Sequence, residues 1–219
     1  MPHVHPPSAA DVPAAVERYV EAHTTAHPDL LERLAQETRA TLRAPQMLTG
    51  PVEGRLLQFL VFASGARRVL ELGTYSGYSA LSMAEALPPD GEIHSCEVDE
   101  QHAEVARRYI AESPYSDRIH VHLGPAIESI ERLGGEWDLV FVDADKQGYR
   151  DYYEAVLPRL AEHGLMVVDN TLADGRVVDP GDERARLIAV FNDHVMRDER
   201  SVCVILTVRD GITLVRRAS

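Results

Sequence analysis

The sequence predicts an α/β fold: a doubly wound sheet of seven strands, mostly parallel, with helices on both faces. Two observations support this prediction. From residue 67 onward, five short apolar runs alternate with stretches of helical periodicity. They are followed by two β-rich runs, at 202–208 and 212–216, which Asp210 and Gly211 separate. An Asp-Gly pair between such runs is typical of a hairpin, so one antiparallel strand is expected at the end of the chain.

The elements follow one another in a regular order. Residues 1–10 are expected to be a flexible tail, and residues 11–66 to form N-terminal helices that cap the fold. Helices are predicted at 11–23, 29–43, from 53 onward, 77–87, 100–112, 126–133, 149–160 and 183–196, with a loop at 45–54. Strands are predicted at 67–73, 92–99, 118–124, 139–142 and 164–168. Since no linker or repeat interrupts this order, residues 1–219 are predicted to form a single domain.

Composition excludes several classes of protein. The net charge of −13 over 219 residues argues against non-specific nucleic-acid binding, which needs a basic surface. Cys96 and Cys203 fall in predicted strands without metal-binding spacing, so we expect reduced thiols in a cytoplasmic protein. No apolar run approaches the roughly 20 residues that a membrane span needs, and secretion is not expected from the Pro- and His-rich N-terminus.

Polar residues follow two of the predicted strands at the point where each strand ends. Strand 139–142 stops at Asp143, and strand 164–168 runs directly into Asp169 and Asn170. In open α/β sheets, ligands bind at the carboxyl ends of the strands. Two carboxylates and an amide oxygen suit a hard divalent cation and leave positions for oxygens of a substrate. A plain turn or helix cap is the alternative for Asp169 and Asn170.

A glycine-containing turn follows the first strand. The segment VLELGTYSGYS is a strand, a turn and the start of a helix, the arrangement that binds nucleotide cofactors in Rossmann-like folds. The spacing between Gly73 and Gly77 differs from GxGxxG, which disfavours a pyrophosphate cofactor. Glu97 ends the second strand, where an acid can accept hydrogen bonds from both ribose hydroxyls of an adenosine. An ordinary tight turn and a solvated strand end are the simpler alternatives.

Several segments together resemble one family, the small cation-dependent O-methyltransferases related to caffeoyl-CoA and catechol O-methyltransferases. The segments are ELGTYSGYSAL, LPPDG at 87–91, FVDADK at 141–146, VVDN at 167–170 and the final DGITL. The resemblance covers roughly residues 45–217. It implies a class I fold of Rossmann-like type, S-adenosylmethionine (SAM) as cofactor, a divalent cation and a homodimer. The cation is usually Mg²⁺, with Mn²⁺ or Ca²⁺ as alternatives.

The resemblance also implies roles for individual residues. The metal ligands would be Asp143, Asp169 and Asn170, with Thr49 close to the metal. The residues implied to line the cofactor are Glu71, Gly73, Tyr75, Ser79, Glu97, Ala126, Asp143 and Asp145. Within that set, Glu71 and Ser79 would hold the amino-acid end of the cofactor, Glu97 the ribose and Ala126 the adenine edge.

Lys146 is the candidate general base. It follows Asp143 by three residues, so it can reach a hydroxyl that the cation coordinates, and the cation lowers the pKa of that hydroxyl. Nearby positive charge also makes a lysine easier to deprotonate. Two alternatives stay open: Lys146 orients the substrate while the metal promotes deprotonation, or it is an exposed structural lysine.

The chain departs from the family pattern at Ala173, where the family often carries tryptophan. The aromatic wall around a substrate ring would therefore be thinner, or supplied by the N-terminal helices. Trp137 is expected to be structural. Tyr149, Tyr152 and Tyr153 are expected in the core or at a dimer contact rather than in catalysis.

Together these features predict a SAM- and cation-dependent O-methyltransferase. Its substrate would be a small phenolic molecule, a vicinal dihydroxy aromatic whose two oxygens chelate the metal. A second hypothesis is a tRNA-hydroxyuridine O-methyltransferase, which a basic patch around Arg39, Arg43 and Arg55 would favour and the acidic net charge disfavours. A third is a cofactor-binding module without catalysis, which the intact ligand set and lysine disfavour.

Overall fold

A computed structural model describes residues 14–218 of the chain. The expected tail and the start of the first predicted helix, residues 1–13, lie outside this range. The helices are α1 (Ala14–Ala22), α2 (Asp29–Thr41), α3 (Gly50–Ser64), α4 (Tyr78–Ala84), α5 (Glu100–Glu112), α6 (Ala126–Leu133), α7 (Tyr149–Val156) and α8 (Glu183–Arg197). The strands are β1 (Arg68–Leu72), β2 (Glu92–Glu97), β3 (Ile119–Leu123), β4 (Trp137–Val142), β5 (Leu160–Val168), β6 (Ser201–Leu206) and β7 (Ile212–Arg217). Short 3₁₀ turns lie at Pro45–Met47, Leu157–Arg159 and Arg176–Val178.

The strands form one seven-stranded sheet in the order β3-β2-β1-β4-β5-β7-β6. Strands β1 to β5 are parallel, and β7 runs antiparallel to both of its neighbours, β5 and β6. The predicted fold class and the C-terminal hairpin are therefore confirmed. The chain moves outward from β1 to β3 and then returns to place β4 on the other side of β1. This reversal is the switch point at which doubly wound sheets bind their ligands.

Helices cover both faces of the sheet because its central strands are apolar on both sides. Residues 69–72 of β1 are fully buried, and one hydrophobic cluster joins their first face to α2, α3, α4 and α5. The second cluster joins the opposite face to α6, α7 and α8. Trp137 is fully buried at the start of β4, with the Arg68 guanidinium 3.9 Å from its ring centroid, so its expected structural role agrees with its position.

The N-terminal part of the prediction needs one correction. Helix α3 begins at Gly50 rather than Glu53, so half of the predicted loop at 45–54 is helical. The Gly50-Pro51 pair has the composition of a loop, but proline is well tolerated in the first turn of a helix. Of the predicted inward residues, Leu57 and Val61 are buried and Leu56 and Leu60 are partly buried.

Two further boundaries differ from the prediction. Helix α4 ends at Ala84, three residues earlier than predicted, and α7 ends at Val156 instead of reaching residue 160. Pro158 cannot continue α7, and the chain passes through the 3₁₀ turn into β5, which starts at Leu160 instead of 164. The first pair of β4 and β5, Trp137 with Leu160, is separated from the rest of the ladder by an irregularity.

The two cysteines are free thiols, as expected; Cys96 is buried and Cys203 is half-buried. Between residues 14 and 218, no helix combines the length and the apolar character that crossing a membrane requires.

Candidate active site

The ends of β1, β4 and β5 meet at the switch point. The Asp143 amide donates to the Leu72 carbonyl at 2.9 Å, and the Asp169 amide donates to the Val142 carbonyl at 3.0 Å. Gly73 lies at this junction with a φ of +101°, and a Cβ on it would stand 2.0 Å from the Asp143 carbonyl oxygen. Only glycine fits there, so the cofactor turn and the predicted cation ligands are in direct contact.

Lys146 joins the predicted cation ligands. Its Nζ donates to Asp143 Oδ1 at 3.1 Å, to Asn170 Oδ1 at 2.7 Å and to the Tyr149 hydroxyl at 2.5 Å. Lys146 is the single lysine among the 22 basic residues of the chain; the others are arginines. Lysine is a compact charge whose pKa shifts readily, whereas arginine stays protonated. Among the 22 basic residues, the one whose side chain can readily lose its proton therefore lies among the predicted ligands.

Asp169 is the most constrained member of this group. It is 5% exposed, and its Oδ1 has no hydrogen-bond partner. Burial, and then the charge of Asp143, raise the pKa of Asp169 to about 7. A buried acceptor without a partner is unfavourable unless a ligand satisfies it. Together with the oxygens of Asp143 and Asn170 it forms a donor set that fits a hard divalent cation.

Tyr149 belongs to this site, which the sequence did not indicate. The ring is buried in the core, as expected, but its hydroxyl donates to the Asp169 carbonyl oxygen at 2.9 Å and accepts from Lys146. Burial raises the pKa of Tyr149 well above 10, so the hydroxyl stays neutral. Its neutral oxygen can therefore accept a hydrogen bond from Lys146 and hold the amine in place.

A buried acid, Glu53, was also missed. Its side chain is 1% exposed; Oε2 lies 3.3 Å from Arg209 Nε, while Oε1 has no partner. Burial, and then the charge of the adjacent Asp169, raise the pKa of Glu53. A signal was present in the sequence, since Glu53 precedes the inward-facing Leu57 and Val61 by four and eight residues and so shares their buried stripe.

On the cofactor side, Glu71 is completely buried in β1. The Ser95 hydroxyl donates to its Oε2, and a 2.5 Å hydrogen bond links Ser95 to Thr74 in the cofactor turn. The other oxygen, Oε1, has no partner, and burial raises the pKa of Glu71 to about 8. An acid with an unused buried oxygen beside a cofactor turn is suited to an ammonium group, such as that of an amino-acid moiety.

Glu97 is oriented by three backbone amides. Tyr75 donates to Oε2 at 2.7 Å, and Val98 and Asp99 donate to Oε1 at 2.8 and 2.9 Å. A carboxylate has about four acceptor positions, and Oε2 accepts only one of these three bonds, so acceptor capacity remains for a ribose hydroxyl. Tyr75 itself has a φ of +47°, and its hydroxyl donates to the Arg43 carbonyl at 3.0 Å.

The other three residues predicted to line the cofactor lie at separate points of the chain. Ser79 is buried in the first turn of α4, and Ala126 is buried at the start of α6. Asp145 is exposed and is held by α7, since it accepts from the Tyr152 hydroxyl at 2.5 Å and from the Gly148 amide at 2.9 Å. The structure therefore gives Asp145 a role in fixing the start of α7.

Thr49 lies above the cofactor turn. It is 8% exposed and belongs to the segment Met47, Leu48 and Thr49, which faces the cofactor turn and Asp143 across a narrow cavity of about 10 Å³. The predicted cofactor and cation residues are thus brought together under a cover formed by the segment before α3.

Fold and site together define a class: a Rossmann-like α/β enzyme whose cofactor crevice lies next to a cluster of oxygen ligands and a lysine. A family model described as O-methyltransferase matches residues 21–218. The chain therefore belongs to the O-methyltransferase family, and it is a SAM-dependent O-methyltransferase.

Individual relatives agree with this assignment. Caffeoyl-CoA O-methyltransferase 1 of Zea mays is 34% identical over 89% of this chain and 81% of its own. Probable caffeoyl-CoA O-methyltransferase 1 of Dictyostelium discoideum is 30% identical over 93% and 92%. Among solved structures, an O-methyltransferase from Bacillus cereus in complex with SAH (S-adenosylhomocysteine) superposes with a TM-score of 0.84 at 30% identity, covering 93% of this chain and 97% of that one. The SAH-bound methyltransferase of Podospora anserina has a TM-score of 0.88 at 28% identity, covering 94% of both chains.

Proposed function

We propose that this enzyme transfers the methyl group of SAM to one hydroxyl of a vicinal dihydroxy aromatic, and that it requires a divalent cation. One observation carries the proposal: Lys146 contacts oxygens of Asp143 and Asn170, next to an oxygen of Asp169 that has no partner. Mg²⁺ is the cation we favour because all of these donors are oxygens.

The roles of the residues follow from these contacts. Asp143, Asp169 and Asn170 would hold the cation, which supplies a lowered pKa for a coordinated hydroxyl. Lys146, after it has lost a proton to solvent, would accept the proton of that hydroxyl at Nζ, and Tyr149 would position Nζ through its hydroxyl. Methyl transfer needs no covalent enzyme intermediate, so the rest of the site contributes alignment and exclusion of water.

The names of the relatives support a catechol-like substrate. The Zea mays relative is a caffeoyl-CoA O-methyltransferase and the Dictyostelium discoideum relative a probable one, and a caffeoyl group carries two adjacent hydroxyls on an aromatic ring. Two adjacent oxygens chelate a single cation, which brings one of them within reach of a base beside the cation. Ala173, at the position where aromatic residues were expected, is fully buried, so it does not form a wall of the substrate site.

The tRNA hypothesis is less well supported. Its basic patch required Arg39, Arg43 and Arg55 to be available together. The Arg55 guanidinium instead donates to Glu85 at 2.7 Å and to the carbonyl oxygens of Thr25 and Ala26, and its side chain is 12% exposed. The homodimer and the cytoplasmic location stay predictions.

The test is methyl transfer from labelled SAM to a simple catechol, with Mg²⁺ and then with EDTA. We expect EDTA to abolish activity, and Mg²⁺ to restore it. The Asp169→Asn variant loses one ligand charge, so its affinity for Mg²⁺ should fall at least tenfold. The dependence of the rate on Mg²⁺ concentration measures this change.

The matched control is Glu154→Gln, which changes an acid in a second cluster, with His194 and Asp198, far along α7. It should leave the Mg²⁺ dependence unchanged. Full activity in EDTA would disprove the cation requirement. Transfer to a tRNA hydroxyuridine but to no catechol would replace the proposed substrate with the alternative.

A further inference from the structure

The turn between β6 and β7, residues 207–211, touches both sides of the active site. On one side it is fastened to the segment that follows the cation ligands. The Thr171 amide donates to the Gly211 carbonyl at 3.0 Å, and the Leu172 amide donates to the Asp210 carbonyl at 2.9 Å. The turn is therefore fixed relative to Asp169 and Asn170.

On the other side, Arg209 reaches across to the segment that covers the cofactor crevice. Its Nη1 donates to the Thr49 carbonyl at 2.6 Å, its Nη2 approaches the Leu48 carbonyl at 3.5 Å, and its Nε lies 3.3 Å from Glu53 Oε2. The planar guanidinium suits such a set because its donors have a fixed geometry. One side chain thus contacts three residues of the covering segment.

The backbone at both ends of this contact is unusual. Arg209 has a φ of +47°, in the left-handed region that non-glycine residues rarely adopt. Gly50 has a φ of +78°, and a Cβ on it would stand 2.9 Å from Arg209 Nη1. Strain of this kind persists only where surrounding contacts over-determine it and is frequent at functional sites.

The covering segment closes the crevice in this arrangement. The cavity between residues 47–49 and the cofactor turn is about 10 Å³, far below the roughly 300–1,000 Å³ of most ligand pockets. Thr49 must therefore move outward to admit a cofactor of the size of SAM. Any such movement breaks the contacts of Thr49 and Leu48 with Arg209.

We propose that Arg209 is a positioning residue that fastens the segment 48–53 over the cofactor crevice and thereby slows cofactor release. The proposal rests on the use of SAM by this family and is tested in the absence of the cation. Arg209 contacts neither the predicted cation ligands nor the cofactor turn, and it acts through Thr49 and Glu53.

The experiment compares Arg209→Gly and Arg209→Lys with the unchanged protein, all in EDTA. Glycine removes the guanidinium but tolerates the left-handed backbone, so the turn 207–211 should keep its conformation in this variant. Lysine keeps the positive charge but lacks the planar, forked set of donors that the guanidinium has. The matched control is Arg184→Gln, because Arg184 pairs with Asp210 in the same turn at 3.4 Å and, among the described residues, donates no hydrogen bond to the segment 48–53.

Two quantities are measured: hydrogen exchange of the backbone amides in 48–57, and the dissociation rate of SAH. In Arg209→Gly we expect both to rise about tenfold, while exchange in β2 and β3 stays unchanged. Arg209→Lys should fall between this variant and the unchanged protein, and Arg184→Gln should match the unchanged protein. Exchange that accelerates uniformly over the chain, or an unchanged SAH dissociation rate in Arg209→Gly, would overturn the proposal.

Discussion

The two sides of the active site are built differently. On the cofactor side, the Glu97 carboxylate accepts three backbone amides and its position is set by the protein alone. On the cation side, Asp169 keeps an oxygen without a partner, and the nearby positive charge comes from the side chain of Lys146. Glu97 is therefore preorganised by the protein alone, whereas Asp169 keeps an acceptor oxygen that a ligand can satisfy.

The difference has a structural origin. The loops after β1 and β2 turn sharply, and their amides point toward Glu97, as the left-handed Tyr75 shows. The segments after β4 and β5 instead present side-chain oxygens, whose charges repel one another in a buried position. Changes on the cation side should consequently alter turnover, and changes on the cofactor side should alter cofactor affinity.

The largest effect is expected from Lys146→Met. A positioned base contributes typically about 10² to 10⁴ in rate, so kcat should fall by that factor at saturating SAM and Mg²⁺. The dissociation constant of SAH should change less than threefold, because Lys146 donates to Asp143, Asn170 and Tyr149 and to neither Glu71 nor Glu97. Kinetics and calorimetry on the same preparation measure both.

The single lysine also permits a direct observation. Reductive methylation with ¹³C-formaldehyde labels one side-chain amine in this chain, at Lys146, besides the terminal amine. Its NMR signal should shift when Mg²⁺ is added, since the ammonium contacts two of the proposed ligands. A kcat of Lys146→Met within threefold of the unchanged protein would instead assign the lysine a structural role.

The sequence was sufficient for the acids on both sides of this comparison and insufficient for the residues that hold neighbouring groups in position. Strand ends are predictable from apolar runs, so Asp143, Asp169 and Glu97 were placed correctly at the carboxyl edge. Tyr149 and Arg209 were missed because their roles depend on contacts between distant segments. Arg209 reaches Thr49 over 160 positions of the chain, and no local periodicity reports such a contact.

The second prediction concerns the pH dependence of cofactor binding through Glu71. Burial raises its pKa from 4.5 to about 8, so in the free protein it is protonated below that pH. If it binds the ammonium of SAH, binding favours the ionised form and releases a proton. Affinity for SAH should then rise up to tenfold per pH unit from pH 6 to 8 and level off above. Calorimetry in two buffers of different ionisation enthalpy counts the released proton.

The same group affects stability with the opposite sign. Its folded pKa lies above the unfolded value, so its stabilising contribution is complete at acidic pH and is lost as the pH rises through about 8. In Glu71→Gln both pH dependences should disappear. An SAH affinity that is flat with pH in the unchanged protein would remove Glu71 from the ammonium site.

The smallest effect is expected from Tyr149→Phe. The ring stays in the core, but the Asp169 carbonyl oxygen loses its donor and Lys146 loses one of three contacts. Loss of one buried hydrogen bond costs about 1 kcal/mol, so the melting temperature should fall by a few degrees. Because Asp143 and Asn170 still hold the lysine, kcat should fall only about three- to tenfold, with SAH affinity unchanged.

Tyr153→Phe is the matched control on the same helix, since its hydroxyl donates to Asp198 at 2.9 Å and contacts no residue of the site. A similar loss of stability with an unchanged kcat is expected there, and equal losses of kcat in both variants would show that the Tyr149 hydroxyl supports the core alone.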